Sequence, residues 1–381
     1  MEFSLHRYTV EEKWDHPLDS AMDSPQTLIV VFVTARPEEE LCSELAGIHV
    51  SFPNSVVVGC SSSGEIYGEV LSDDSIIAAV IHFADTRLKL VHSEITDAEH
   101  SFDVGTSVAE QLLAPDLAAV FTLTDGLKVN GSAYVEGLNH ILPDDVIITG
   151  GLAGDCDRFE RTWLLYDGKC KTGRVVAVGL YGDAVRVAHG SRGGWDLLGP
   201  DREVTYSVGN VLYTMDNQPA LEVYKKYLGE RAEDLPATGL LFPLAIRNEN
   251  DDDHDTVRTI LAVDEQKQSI IFAGDIPEGS HVKLMRANFD RLVDGAAEAA
   301  EQLDMTGYEN GPAICLAISC VGRRLVLGPR VEEELEAVKE VLPAGAGVIG
   351  YYSYGEISPL ASGRCDLHNQ TMTLTLIWEK A

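Results

Sequence analysis

One pattern, stated three times, constrains this chain more than any other feature. An apolar strand leads to an amphipathic helix, then to a second strand that breaks into a loop of small or hydroxylated residues ending in glycine and an acid; a third apolar strand follows. The loops are Gly59-Cys60-Ser61-Ser62-Ser63-Gly64-Glu65, Thr149-Gly150-Gly151-Leu152-Ala153-Gly154-Asp155 and Gly350-Tyr351-Tyr352-Ser353-Tyr354-Gly355-Glu356. Loops at the ends of sheet strands are where α/β proteins place ligands. Three such loops, each tipped with a carboxylate, point to one polar site assembled from equivalent corners.

The first unit opens at Leu28-Ile29-Val30-Val31-Phe32-Val33, a continuous apolar run of the buried-strand type. Arg36-Pro37 starts a helix in which Glu38, Glu39 and Glu40 complement the dipole and Leu41, Leu45 and Ile48 share one face. Val56-Val57-Val58 and Ile76 to Ile81 complete the unit. The second runs through Ala119 to Leu123, a helix from Ser132 to Leu142 with Ser132 as the expected N-cap, Val146-Ile147-Ile148 and Val175 to Leu180. The third uses Ile314 to Ser319, a helix from Val331 to Leu342, Val348-Ile349 and Thr371 to Ile377. In each unit the third strand follows its loop too closely for a helical crossover and should run antiparallel to the second.

Between units two and three lies different material: a short helix from Pro219 to Gly229, two strands at Thr259 to Val263 and Ser269 to Phe272, and a longer helix from about Arg286 to Leu303. The acidic run Asn250 to Asp255 reads as a solvated loop, since it lacks the glycine and terminal glutamate of a calcium loop.

At 381 residues the chain is too long for one ordinary core. Its net charge of -32 repels phosphate backbones and anionic lipid, which argues against nucleic-acid and membrane partners. No apolar run approaches the roughly 20 residues that span a bilayer, and the N-terminus has no secretory h-region, so a cytoplasmic location is expected. The seven cysteines are odd in number and scattered without a C-x-x-C pair, which argues against disulfides and structural zinc.

Seven motifs occurring in order make the chain resemble the FIST family, the F-box and intracellular signal-transduction sensory domains. They are Val58 to Ile66, Gly150 to Asp155, Gly209-Asn210-Val211-Leu212-Tyr213 leading to Pro219 to Tyr224, Phe272 to Gly279, Ser319 to Arg324, Tyr352 to Ile357 and Leu367 to Thr371. The resemblance runs from about Leu28 to the C-terminus. It implies a FIST N-terminal domain over 27–218 and a FIST C-terminal domain over 219–381, with 1–26 as an N-terminal extension. It also implies a sensory module for small ligands such as amino acids, or, as in some members, a haem-binding nitric-oxide sensor. No output domain follows Trp378, so the expected partner is a separate histidine kinase or other output protein. The family supplies no catalytic residues.

Glycine-rich turns present backbone N–H groups to an anion, hydroxyls add donors and acceptors, and a carboxylate can hold an ammonium. An amino-acid zwitterion needs both halves. The expected ligand-binding set is therefore Cys60, Ser61, Ser62, Gly64 and Glu65; Gly150, Gly151, Gly154 and Asp155; Cys320 and Arg323; Tyr352, Ser353, Tyr354, Gly355 and Glu356; and His368 with Asn369. The competing reading of each Gly-acid pair is a tight turn whose acid caps backbone N–H groups. Tyr352 and Tyr354 should share one side of an extended segment and Tyr351 take the other, one set walling the cleft. A cysteine enzyme acting on an amino-acid-like substrate is a rival: Cys60 and Cys320 would supply the nucleophile, and Arg323 and Arg324 would lower the Cys320 pKa. The haem alternative, implied by the resemblance, would use His189, His281 or His368 as axial ligand. The fold class expected is α/β, in two domains with internally repeated β-α-β-loop-β units on mixed sheets. The function expected is a non-enzymatic, cytoplasmic signalling module with no metal.

Overall fold

The three repeated units fold as three helix-covered sheets that turn their inner faces toward one another. The structure, a computed structural model, describes all residues except 37, 236, 248–255, 361–362 and 381. The acidic run at 250–255 and the Leu41 side chain lie outside what is described.

In each unit the first and second strands run parallel, and the third lies antiparallel against the first on its other side. Thr27–Thr34 sits between Val56–Ser62 and Ser75–His82, Leu117–Thr124 between Ile147–Leu152 and Arg174–Tyr181, and Ala313–Cys320 between Ala346–Ser353 and Met372–Glu379. The third strand therefore runs antiparallel to the second without touching it. Alternation of side chains along a strand decides what each face buries. Leu28, Val30 and Phe32, Ala119, Phe121 and Leu123, and Ile314, Leu316 and Ile318 all enter one shared core between the sheets. Their neighbours face outward under helices, such as Ile29 and Val31 against Leu45 and Ile48. Both faces are buried, which is why these strands read as unbroken apolar runs.

The units are tied together by exchanged strands. Glu65–Tyr67, after the first loop, pairs with Ala346–Ser353 of the third unit. Gly355–Pro359, after the third loop, pairs with Ile147–Leu152 of the second. Leu164–Tyr166, after the second loop, pairs with Val56–Ser62 of the first. The exchange is cyclic, and it links residues of the first half of the chain to those of the second.

The intervening segment forms an eight-stranded sheet with its own core around the helix Ala220–Leu228, and the helix Phe289–Glu301 then packs on the third unit. One local expectation changes. Asn130, not Ser132, caps the helix Gly131–Ile141, its Oδ1 accepting from Ala133 N at 3.1 Å. Within the N-terminal extension, residues 2–9 add a strand to the first sheet against Ser75–His82, and the Met1 amino group pairs with Glu379 at 3.0 Å.

Candidate functional site

The three loops meet, and three backbone hydrogen bonds close them into a ring. Ser63 N donates to Tyr352 O (2.9 Å), Tyr354 N to Leu152 O (3.3 Å) and Gly154 N to Ser61 O (3.0 Å). The ring makes Ser63, Gly154 and Tyr354 equivalent. Glu65 and Glu356 each lie two residues further on, but Asp155 lies one. By strand register the position of Glu65 and Glu356 is filled in the second unit by Leu164. The apparent match of three acids in sequence is thus a match of two.

All three carboxylates turn inward and find partners there. Glu65 and Glu356 are 0% exposed and Asp155 is 2% exposed. Glu65 accepts from Ser62 Oγ, Thr34 Oγ1 (2.9 Å), Ser75 Oγ (3.0 Å) and Ser75 N (3.2 Å). Asp155 accepts from Phe159 N, Glu160 N and Arg161 N at 2.8–2.9 Å and from the Tyr354 hydroxyl. Burial pushes the Glu65 carboxyl up to about 7 and that of Glu356 up to about 8, although hydrogen bonds favour the charged forms. These are turn-capping acids with no oxygen offered to an ammonium, which corrects the expected role of Glu65, Asp155 and Glu356.

The other loop residues are similarly committed. Ser61 Oγ accepts from Trp163 N at 3.1 Å, and Ser62 and Ser353 donate to their acids. Gly150 and Gly151 let backbones approach, an added Cβ lying 1.8 Å from Thr122 O at Gly150 and 2.9 Å from Gly355 O at Gly151, whereas Gly64 makes room for the Arg324 and Leu71 side chains and Gly355 for that of Leu367. None of the tyrosines walls a cleft as expected. Tyr351 stacks on Phe32 in the shared core, the Tyr352 hydroxyl donates to Glu334 at 2.6 Å, and Tyr354 stacks on Phe159. Arg323 is fully buried. It pairs with Glu334 at 2.7 Å and donates to Gly193 O and Leu292 O, so its guanidinium is committed within the fold, and its charge is not among the causes that shift the Cys320 thiol. Burial pushes the Cys320 thiol up to about 12 and raises Cys60 as well, the reverse of what a nucleophile needs.

A cavity of about 620 Å³ lies elsewhere, between the strand Val185–Arg192, the helix Phe289–Glu301, the segment Gly193 to Trp195 and the residues after Cys365–His368. Of the expected site residues only His368, with His189 from the haem alternative, lines it. Asn369 lies next to it, buried, its Nδ2 donating to His368 O. His281 is on an exposed strand position and does not line the cavity. Trp195 is pinned by Nε1 donating to Gln370 O at 2.9 Å. Arg192 and Glu298 face each other at 3.9 Å, both about half exposed, and Arg291 lies further along the same helix. Burial lowers the pKa of both His189 and His368 from the ordinary histidine value, which favours the neutral ring. The ring of loops is linked to the cavity through Thr371, which lines the cavity and donates by Oγ1 to Glu356 at 2.9 Å.

Residues 27–218 match the FIST N domain, and residues 220–359 match the FIST C domain. The chain belongs to the FIST family. It is also similar to the uncharacterized protein MJ1623 of Methanocaldococcus jannaschii, at 22% identity over a match covering 92% of this chain and 73% of that protein. FIST domains are sensory domains of signal transduction. In this FIST protein the cavity joins the two matched regions. The N region supplies His189, Arg192 and Trp195, and the C region supplies Val257, Met285, Arg291 and Glu298. Among the described residues no helix is long and apolar enough to cross a membrane, and no group of three or more metal-ligating side chains occurs.

Proposed function

We propose that this FIST protein is a cytoplasmic, non-enzymatic sensory module that binds a small amino-acid-like ligand in the cavity between its two regions and signals to a separate partner such as a histidine kinase. The observation that carries the reading is the Arg192–Glu298 pair, whose 3.9 Å separation leaves each charge loosely engaged in a cavity that Trp195, Val257 and Met285 also line. Adjacent opposite charges on a partly apolar wall match a zwitterion, the guanidinium taking the α-carboxylate and the carboxylate the α-ammonium. A ligand there would touch both matched regions at once, and binding that bridges two parts of a fold shifts the balance between their arrangements. The test is a thermal-shift screen of the twenty amino acids on the purified protein. A rise in Tm that Arg192→Ala and Glu298→Ala abolish supports the reading; no shift with any amino acid refutes it.

A haem sensor is the second reading, favoured by one observation: the His189 ring faces the cavity and takes no hydrogen bond among the described residues. His368 Nε2 is engaged with Ser358 O at 3.0 Å, which leaves His189 as the residue that would hold the iron. Haem would supply a gas-binding metal. A Soret band that His189→Ala removes decides for it.

A further inference from the structure

We propose that the cavity is built for an amino acid with a second acidic group, an α-amino dicarboxylate whose distal acid rests on Arg291. The proposal rests on the amino-acid reading above and adds the side chain.

Arg192 and Glu298 account for the zwitterionic end of such a ligand. Arg291 precedes Glu298 by seven residues on the same helix, which puts both on one face about 10 Å apart along the axis. Its ion partner is Asp196 at 4.0 Å, the outer limit of an ion pair, and Asp196 is divided among Arg286 at 4.0 Å, Asn288 at 3.3 Å and Arg291. Arg291 also stands in the first turn of Phe289–Glu301, where the helix dipole adds positive potential.

The lining therefore carries two guanidiniums and one carboxylate, in a chain whose net charge is -32. A local excess of positive charge against so negative a background draws anions to this mouth. A neutral amino acid satisfies Arg192 and Glu298 but leaves Arg291 with only Asp196, which it shares with Arg286 and Asn288. An acidic one supplies it, and the two-turn spacing suits the longer reach of glutamate over aspartate.

The experiment is calorimetric titration of the intact protein with L-glutamate, L-aspartate, L-glutamine and L-leucine at low salt. Glutamate should bind at least tenfold more tightly than glutamine and more tightly than aspartate. Arg291→Gln should erase the preference over glutamine, weakening glutamate at least tenfold more than glutamine; the side chain is about half exposed, so the variant should fold. Equal or tighter binding of glutamine or leucine overturns this inference and leaves the amino-acid reading standing. Heat from none of the four overturns both.

Discussion

Glu65 and Glu356 are the same residue in two settings: each follows its ring position by two, each accepts from a serine three residues earlier, and each takes the N–H and the hydroxyl of the residue that leads into the third strand. Ser75 plays the last part for Glu65 and Thr371 for Glu356. Replacing Glu356 with alanine leaves the hydroxyls of Ser353 and Thr371 and one N–H without their acceptor in the interior, a loss of about 3 kcal/mol. Urea denaturation of Glu356→Ala measures it.

The same two acids set a pH dependence. Their folded carboxyls titrate at about 7 and about 8, above the ordinary 4.5. Between those limits the folded state holds more protons than the unfolded chain, so their contribution to stability is complete below pH 4.5 and is lost as pH rises through 7 and 8. Stability should increase on going from pH 8.5 to about 6, and the double variant Glu65→Gln, Glu356→Gln should flatten the curve. Chemical denaturation across that range reads it.

Gly59, Gly150 and Gly350 occupy equivalent places on the second strands, each against the carbonyl of a first strand. A Cβ at Gly350 would lie 1.7 Å from Ala317 O. The obstacle is backbone, which cannot swing aside, so Gly350→Ala should cost about 3 kcal/mol or prevent folding. Circular dichroism melting distinguishes these from a neutral result.

Arg323 and Glu334 form a buried pair at 2.7 Å, with both side chains 0% exposed. Removing either partner strands the other charge, so Glu334→Ala should destabilise by about 3–5 kcal/mol. The double replacement Arg323→Met, Glu334→Leu should recover part of that loss.

Cys60 and Cys320 should resist alkylation in the native protein at pH 8 and react only on unfolding, because burial holds both thiols protonated and out of reach. Mass spectrometry after iodoacetamide treatment reads it, and fast modification of either would revive a thiol-based activity.

Strands and helices were legible because each buries a face whose period the sequence displays, as at Leu28 to Val33 and Leu335 to Leu342. Strand exchange was not. Nothing in the composition of Glu65-Ile66-Tyr67 says that its partner lies at Ile349 to Tyr351, since pairing at that separation is decided by the assembled core. The three loops do meet, but around backbone hydrogen bonds and not around an open cleft, and the direction of their acids could not be read: a Gly-acid turn looks alike whether its carboxylate faces solvent or its own N–H groups. Arg192, Arg291, Glu298 and Trp195 were not singled out as cavity-lining residues because they come from separate elements, and the charged face of Phe289–Glu301 resembles any solvated helix face. The one available signal was His189 to Trp195, where a histidine, an arginine and a tryptophan are set among three glycines.

The cyclic exchange of strands also bears on biosynthesis. When the first unit leaves the ribosome, the edge that receives Leu164–Tyr166 is bare, and Glu65–Tyr67 waits for a partner made almost three hundred residues later. Such a knot-like dependence should keep the nascent protein from locking until nearly all of it is made, and would leave either half, produced alone, with raw edges prone to associate with copies of itself.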